Sequence, residues 1–254
     1  MTDQVSEKRW TQFREMLGLK ESPLGIYYTN DQPVGKTPKA GMTPGVHHCM
    51  IALLKRARHH GETVYFDKEH VGCAGGAYYM GFLESPMPNI EYFLSCGIPG
   101  QMEGERYIKT PGLAREYFIR VKPRPAPARY CIFKSIEQFQ GNERPEIVVF
   151  FAPPDMLSGL FTLANYALER TDAVHAPFGS GCGTMLTHPL KEAERENPRA
   201  VLGMFDVSAR PMVEKDVLTL AMPYAVFVKL LENVSGSFLQ TESWKKVLRR
   251  IQNK

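Results

Sequence analysis

The stretch IVVFFAPPDMLSGLFTLANYALERTDAVHAPFGSGC, residues 147–182, reads as strand, turn, amphipathic helix, short strand and glycine-cradled cysteine. IVVFF (147–151) has the β-branched and aromatic composition of a buried strand. Pro153 and Pro154 turn the chain, and Asp155 is a candidate helix cap. Leu157, Leu160, Phe161, Ala164, Ala167 and Leu168 recur at helical spacing. AVHA (173–176) then makes a short strand that leads into Gly181-Cys182.

The first half carries the same run of elements. LGIYYT (24–29) is strand-like, and the glycine- and proline-dense segment 31–45 reads as loop. Thr43-Pro44 offers helix-start chemistry, and Met50, Ile51, Leu53, Leu54 and Ala57 form the apolar stripe of a helix ending before Gly61. ETVYF (62–66) is a strand, followed by VGCAGGA around Cys73. With Cys49 set against Ser158, Gly72-Cys73 and Gly181-Cys182 fall in register without a gap. The similarity extends to YYMGFLES (78–85) against VLGMFDVS (201–208), and to 129–139 against 224–234, both read as apolar-faced helices. The expected fold is α/β, mixed α and β, with two similar, tightly packed halves from an internal duplication, residues 1–140 and 141–254.

Outside the repeat, Trp10, Phe13, Met16 and Leu17 predict a helix over 5–18, ended near Gly18. KPRPAPAR (122–129) reads as a stiff extended connector. SWKKVLRRIQNK places Trp244, Val247, Leu248 and Ile251 on one helical face and four basic residues opposite, which fits a docked terminal helix with a solvated basic face.

Net charge is only +4, from 31 basic and 27 acidic residues, so there is no electrostatic case for nucleic acid. MTDQVSEKRW carries no secretory or transit pattern, and no apolar run approaches the ~20 residues of a membrane helix. The expected location is the cytoplasm. Five cysteines are an odd number, and a disulfide framework is not expected there.

Reduced thiols serve as core filler, metal ligand or nucleophile. Cys49 falls in the first turn of its helix, where free amides and the helix dipole favour a thiolate. Cys73 and Cys182 sit among Gly72, Gly75, Gly181 and Gly183, which let the backbone approach a cofactor and hydrogen-bond its sulfur. Cys96 precedes a glycine in a turn, and Cys131 falls in an apolar stripe and reads as core. No C-x-x-C pair, Walker loop or dinucleotide fingerprint is present. His47-His48 and His59-His60 read as surface pairs, Arg210 as an anion-binding candidate, and Cys182 with His175 or His188 as a competing nucleophile–base arrangement.

PLGIYY, HHCMIALLKRARHHGETVYF, GCAGGAYYMGF, APFGSGC and LGMFDVSARP together resemble the uncharacterised prokaryotic family named domain of unknown function 169 (DUF169). The resemblance implies functional cysteines at Cys49, Cys73 and Cys182. Many members carry a further cysteine in an LGC…SR stretch, where this chain has Met204, then Ser208 and Arg210. A fourth ligand therefore passes to Cys96 or to a non-protein group.

The leading expectation is an iron–sulfur cluster, [4Fe–4S], on Cys49, Cys73, Cys96 and Cys182, serving electron transfer or redox or Lewis-acid chemistry with a redox partner protein or a small-molecule substrate. Zinc is the other metal considered. The alternative is a metal-free protein whose glycine loops, with Arg210, bind a small anion.

Overall fold

The computed structural model describes residues 7–38, 49–141 and 143–253. Among them, seven strands form one sheet. In chain order these are β1 Leu24–Thr29, β2 Val64–Phe66, β3 Tyr130–Ser135, β4 Ile147–Ala152, β5 Val174–His175, β6 Ala200–Gly203 and β7 Leu218–Pro223. Across the sheet the order is β2-β3-β1-β4-β7-β6-β5, antiparallel throughout except for the parallel β5–β6 edge.

The alternation of side chains along β4 divides the core in two. Ile147 and Val149 join one apolar cluster, and Val148, Phe150 and Ala152 join the other. The first face is covered by α2 Met50–His60, α3 Ala74–Tyr79, α5 Pro111–Val121, α7 Gly181–Met185 and α8 Thr187–Ala193. The second is covered by α1 Glu7–Leu17, α6 Pro154–Asn165, α9 Tyr224–Glu232 and α10 Glu242–Gln252. A further short helix, α4 Ile90–Phe93, packs against α5. The product is a helix–sheet–helix arrangement with both sheet faces buried.

Local chemistry sets the helix limits. The last turn of α2 is closed by Gly61 in the left-handed region, φ 63°, whose amide donates to the Arg56 carbonyl. The expected terminal helix is α10; Thr241 caps it, Trp244 and Ile251 are buried, and the Trp244 indole donates to the Met16 carbonyl at 2.6 Å. The connector 122–129 runs without helix or strand before β3 and lies against Gly81, whose carbonyl accepts from the Ala126 amide at 2.9 Å. Thr43-Pro44 lies outside the described residues.

Residues 129–139 are not a helix. They form β3 and a short 3-10 turn, Ile136–Gln138, and every residue of β3 is buried. An interior strand covered on both faces has a continuous apolar sequence, which periodicity cannot distinguish from a buried helix segment. The stretch aligned with it, 224–234, does carry helix α9, so the two segments do not share a structure. Residues 78–85 begin at the end of α3, whereas 201–208 begin in β6. The strand–helix–strand order recurs in both halves, but α2 packs on one sheet face and α6 on the other. Internal duplication is therefore not shown by the structure.

Candidate functional site

Three helix starts meet on the first face of the sheet, and each brings a cysteine. Cys49 is the residue before α2, and Cys73 is the residue before α3. Cys182 is the second residue of α7, whose cap Ser180 accepts the Gly183 amide at 3.0 Å. The Cys73 sulfur accepts the Gly76 amide at 3.2 Å. A β-carbon on Gly76 would lie 3.0 Å from that sulfur and 3.2 Å from the Met50 thioether, so Cys73 borders the first turn of α2. A β-carbon on Gly181 would lie 2.8 Å from Ile51 Cδ1, and one on Gly183 would lie 3.1 Å from Tyr79 Cε1. Glycine at these two positions lets α7 seat against both α2 and α3.

Cys73 and Cys182 are buried and Cys49 is half-buried. Burial raises the Cys182 thiol well above its ordinary range, and the charges of Cys73, Cys49 and then Asp206 raise it further. Burial also raises Cys49; the amides of Ile51 and Ala52 oppose this, while Cys73 and Asp206 add to it. Cys49 and Cys182 therefore both feel Cys73 and Asp206. Asp206 lies in the loop after β6, where its Oδ2 accepts the Gly181 amide at 3.0 Å. Its Oδ1 accepts from the amide and hydroxyl of Ser208, at 3.0 and 2.7 Å. Among the described residues Asp206 has no ion-pair partner.

The other sequence candidates fall elsewhere. Cys96 is exposed in the turn after α4, its thiol 3.5 Å from the Gly97 carbonyl, and it is not among the charges that act most on Cys49 or Cys182. Cys131 is fully buried in β3 beside Tyr28, and burial drives its thiol up. Gly72 is buried with φ 74°, whereas Gly75 is exposed with open space where a β-carbon would go. Arg210 spends its guanidinium on the carbonyls of Val217, Glu214 and Lys215, closing the loop before β7. His59 bridges Glu21 and Glu214, and His47-His48 lie outside the described residues. His188 Nε2 would be 3.4 Å from a β-carbon on Gly179, and burial lowers its pKa to about 4. A raised thiol and a histidine this weakly basic do not make an activated nucleophile.

Sequence reading missed Asp206 and the tyrosines packed around the start of α7. Tyr79 and Tyr117 face each other, hydroxyl to hydroxyl, at 3.3 Å; exposed Phe178 meets Tyr117 edge-on. The one local signal at Asp206 is D-x-S, which marks only a turn.

Among the described residues no group of three or more His, Cys, Asp or Glu side chains is arranged to hold a metal ion. No described helix is long and apolar enough to cross a membrane. The model of the DUF169 family, described as uncharacterised ArCR, matches residues 12–233. No curated protein and no solved structure matches the chain.

Proposed function

The chain belongs to the DUF169 family, and from that premise we propose that it binds an iron–sulfur cluster, a [4Fe–4S] core, through Cys49, Cys73 and Cys182. The observation that carries this reading is the meeting of three cysteines from three separate helix starts. A single tetrahedral ion draws its sulfur ligands to about 2.3 Å from one point. A cubane instead takes each thiolate at a different iron and needs them farther apart, so a single-ion geometry is not its requirement.

Charge favours the same reading. Burial and the charges of Cys73 and Asp206 raise the cost of ionising Cys49 and Cys182, and backbone amides oppose it. A cationic iron core relieves that repulsion. A bound anion would add to it, and the amides it would need are occupied: Gly76 donates to Cys73, Gly183 to Ser180 and Gly181 to Asp206. Arg210 is committed to its own loop. The metal-free anion-binding reading therefore has less to work with.

With Cys96 apart and a thioether at Met204, one iron lacks a cysteine. Such an iron suits Lewis-acid or redox chemistry on a small molecule, with a redox protein supplying or accepting electrons, in the reducing cytoplasm that keeps these thiols free. The test is anaerobic purification followed by iron and sulfide assay and visible and paramagnetic resonance spectra. The expected result is a brown protein with about four iron and four sulfide per chain. A colourless, iron-free chain after anaerobic reconstitution would overturn the proposal.

A further inference from the structure

We infer that the Asp206 carboxylate is the fourth protein ligand of the site, binding the cysteine-free iron through Oδ2. This inference rests on the cluster reading and adds a residue that neither cysteine pattern nor loop composition identifies.

Position comes first. Asp206 Oδ2 is held by the amide of Gly181, the residue joined directly to Cys182. It therefore stands at the start of α7, the helix that packs against both α2 and α3. A β-carbon on Gly181 would lie 2.8 Å from Ile51 Cδ1, two residues after Cys49, so the same residue also faces the first turn of α2. Cys96 is exposed, its thiol 3.5 Å from the Gly97 carbonyl in its own turn.

Valence comes next. Each carboxylate oxygen offers two lone-pair sites. Among the described residues, Oδ1 already accepts two bonds from Ser208, whereas Oδ2 accepts one, from Gly181. Oδ2 thus keeps a lone pair for iron while its amide bond fixes its direction. The competing donor is Met204, fully buried, whose thioether would be 3.0 Å from a β-carbon on Gly181. A neutral thioether does little for a ferric or ferrous ion that a carboxylate can neutralise. Oxygen ligation also makes that iron harder and more exchangeable than its three thiolate-bound neighbours, as substrate binding at one iron requires.

The test uses the full chain, reconstituted anaerobically, as wild type, D206A, D206N, D206C and C96A, with circular dichroism to confirm folding. Ferricyanide removes one electron from [4Fe–4S]2+, and the resulting 3+ core sheds Fe2+ to leave [3Fe–4S]+, read by paramagnetic resonance and by a ferrous chelator. Wild type and C96A should lose one iron alike. D206C should keep it, with loss slowed on the order of 10-fold or more. D206N preserves an acceptor for Gly181 but removes the carboxylate, so it should match D206A: faster iron loss and a spectrum that shifts on adding β-mercaptoethanol. Loss from D206C or D206N at the wild-type rate, or a changed signature in C96A, would overturn Asp206 as ligand while leaving the cluster standing. A wild type without any cluster would remove both proposals.

Discussion

Gly181 lies directly beneath Met204: a β-carbon there would sit 3.0 Å from the thioether sulfur and 2.8 Å from Ile51 Cδ1. Met204 is fully buried, with its backbone in the left-handed region at φ 68°. G181A should therefore push α7 from α2 and destabilise the fold by about 1–3 kcal/mol in urea unfolding. In an M204A background the G181A penalty should shrink, a coupling of about 0.5 kcal/mol or more. G75A, at an exposed position with open space around it, should be neutral or stabilising by up to ~1 kcal/mol. Equal penalties at the two glycines would refute the packing argument.

Arg58 is a structural counterpart at the far end of α2. Its side chain is only 3% exposed, bonded to Glu21 at 3.2 Å and Glu214 at 3.0 Å, with the guanidinium 4.2 Å from the Phe151 ring. R58A should leave two carboxylates without their shared cation and cost about 2–4 kcal/mol, the lower end reflecting the partial exposure of both acids. R58K should restore less than half, because an ammonium cannot span two acids and lie flat on a ring. Chemical denaturation of the three proteins decides it.

Three of the five cysteines separate buried core from candidate site. C131A should lower stability by roughly 1–2 kcal/mol, since its thiol fills core space in β3, and leave iron content unchanged. On the cluster proposal, C73A and C182A should abolish iron and sulfide uptake while circular dichroism stays near wild type. Iron loss in C131A as complete as in C73A would contradict the assignment.

His188 sets a pH dependence. Burial holds it at about 4 in the folded chain, with His175 and Lys191 contributing, against an ordinary value near 6.5. The unfolded chain therefore binds this proton more tightly. The neutral histidine imposes no penalty above pH ~6.5; stability falls as pH drops toward ~4 and levels off below. Discounted for partial solvent exposure, the contribution is about 2 kcal/mol. H188Q should flatten the unfolding free energy over that interval by this amount, leaving the smaller slope from His175, which burial also lowers. An unchanged slope would show that His188 is not protonated on unfolding.

Local patterns were legible wherever one face of an element meets solvent or a turn residue marks its end. The helix stripe from Met50 to Ala57, stopped at Gly61, is such a case, and so is the β4–α6 step through Pro153-Pro154. β3 was not, because burial on both faces erases the period that separates strand from helix. At the site, Cys49, Cys73 and Cys182 stood out through their helix-start and glycine settings. Asp206 did not, because it comes near Cys49 and Cys182 through the return of the chain after β6 and the seating of α7 against α2, a long-range relationship with no local signature. Cys96 looked equivalent by composition, yet its turn is fastened to its own surroundings by the amides of Glu105, Arg106 and Ile108, and its thiol faces outward.

The site draws α2 from early in the chain and α7 from late in it, both on one face of the sheet. A ribosome that has delivered Cys49 and Cys73 has not yet delivered Cys182 or Asp206. The three helix starts can therefore meet only once α7 has been made, and a chain cut short before residue 181 would leave α2 and α3 without the helix that packs against both.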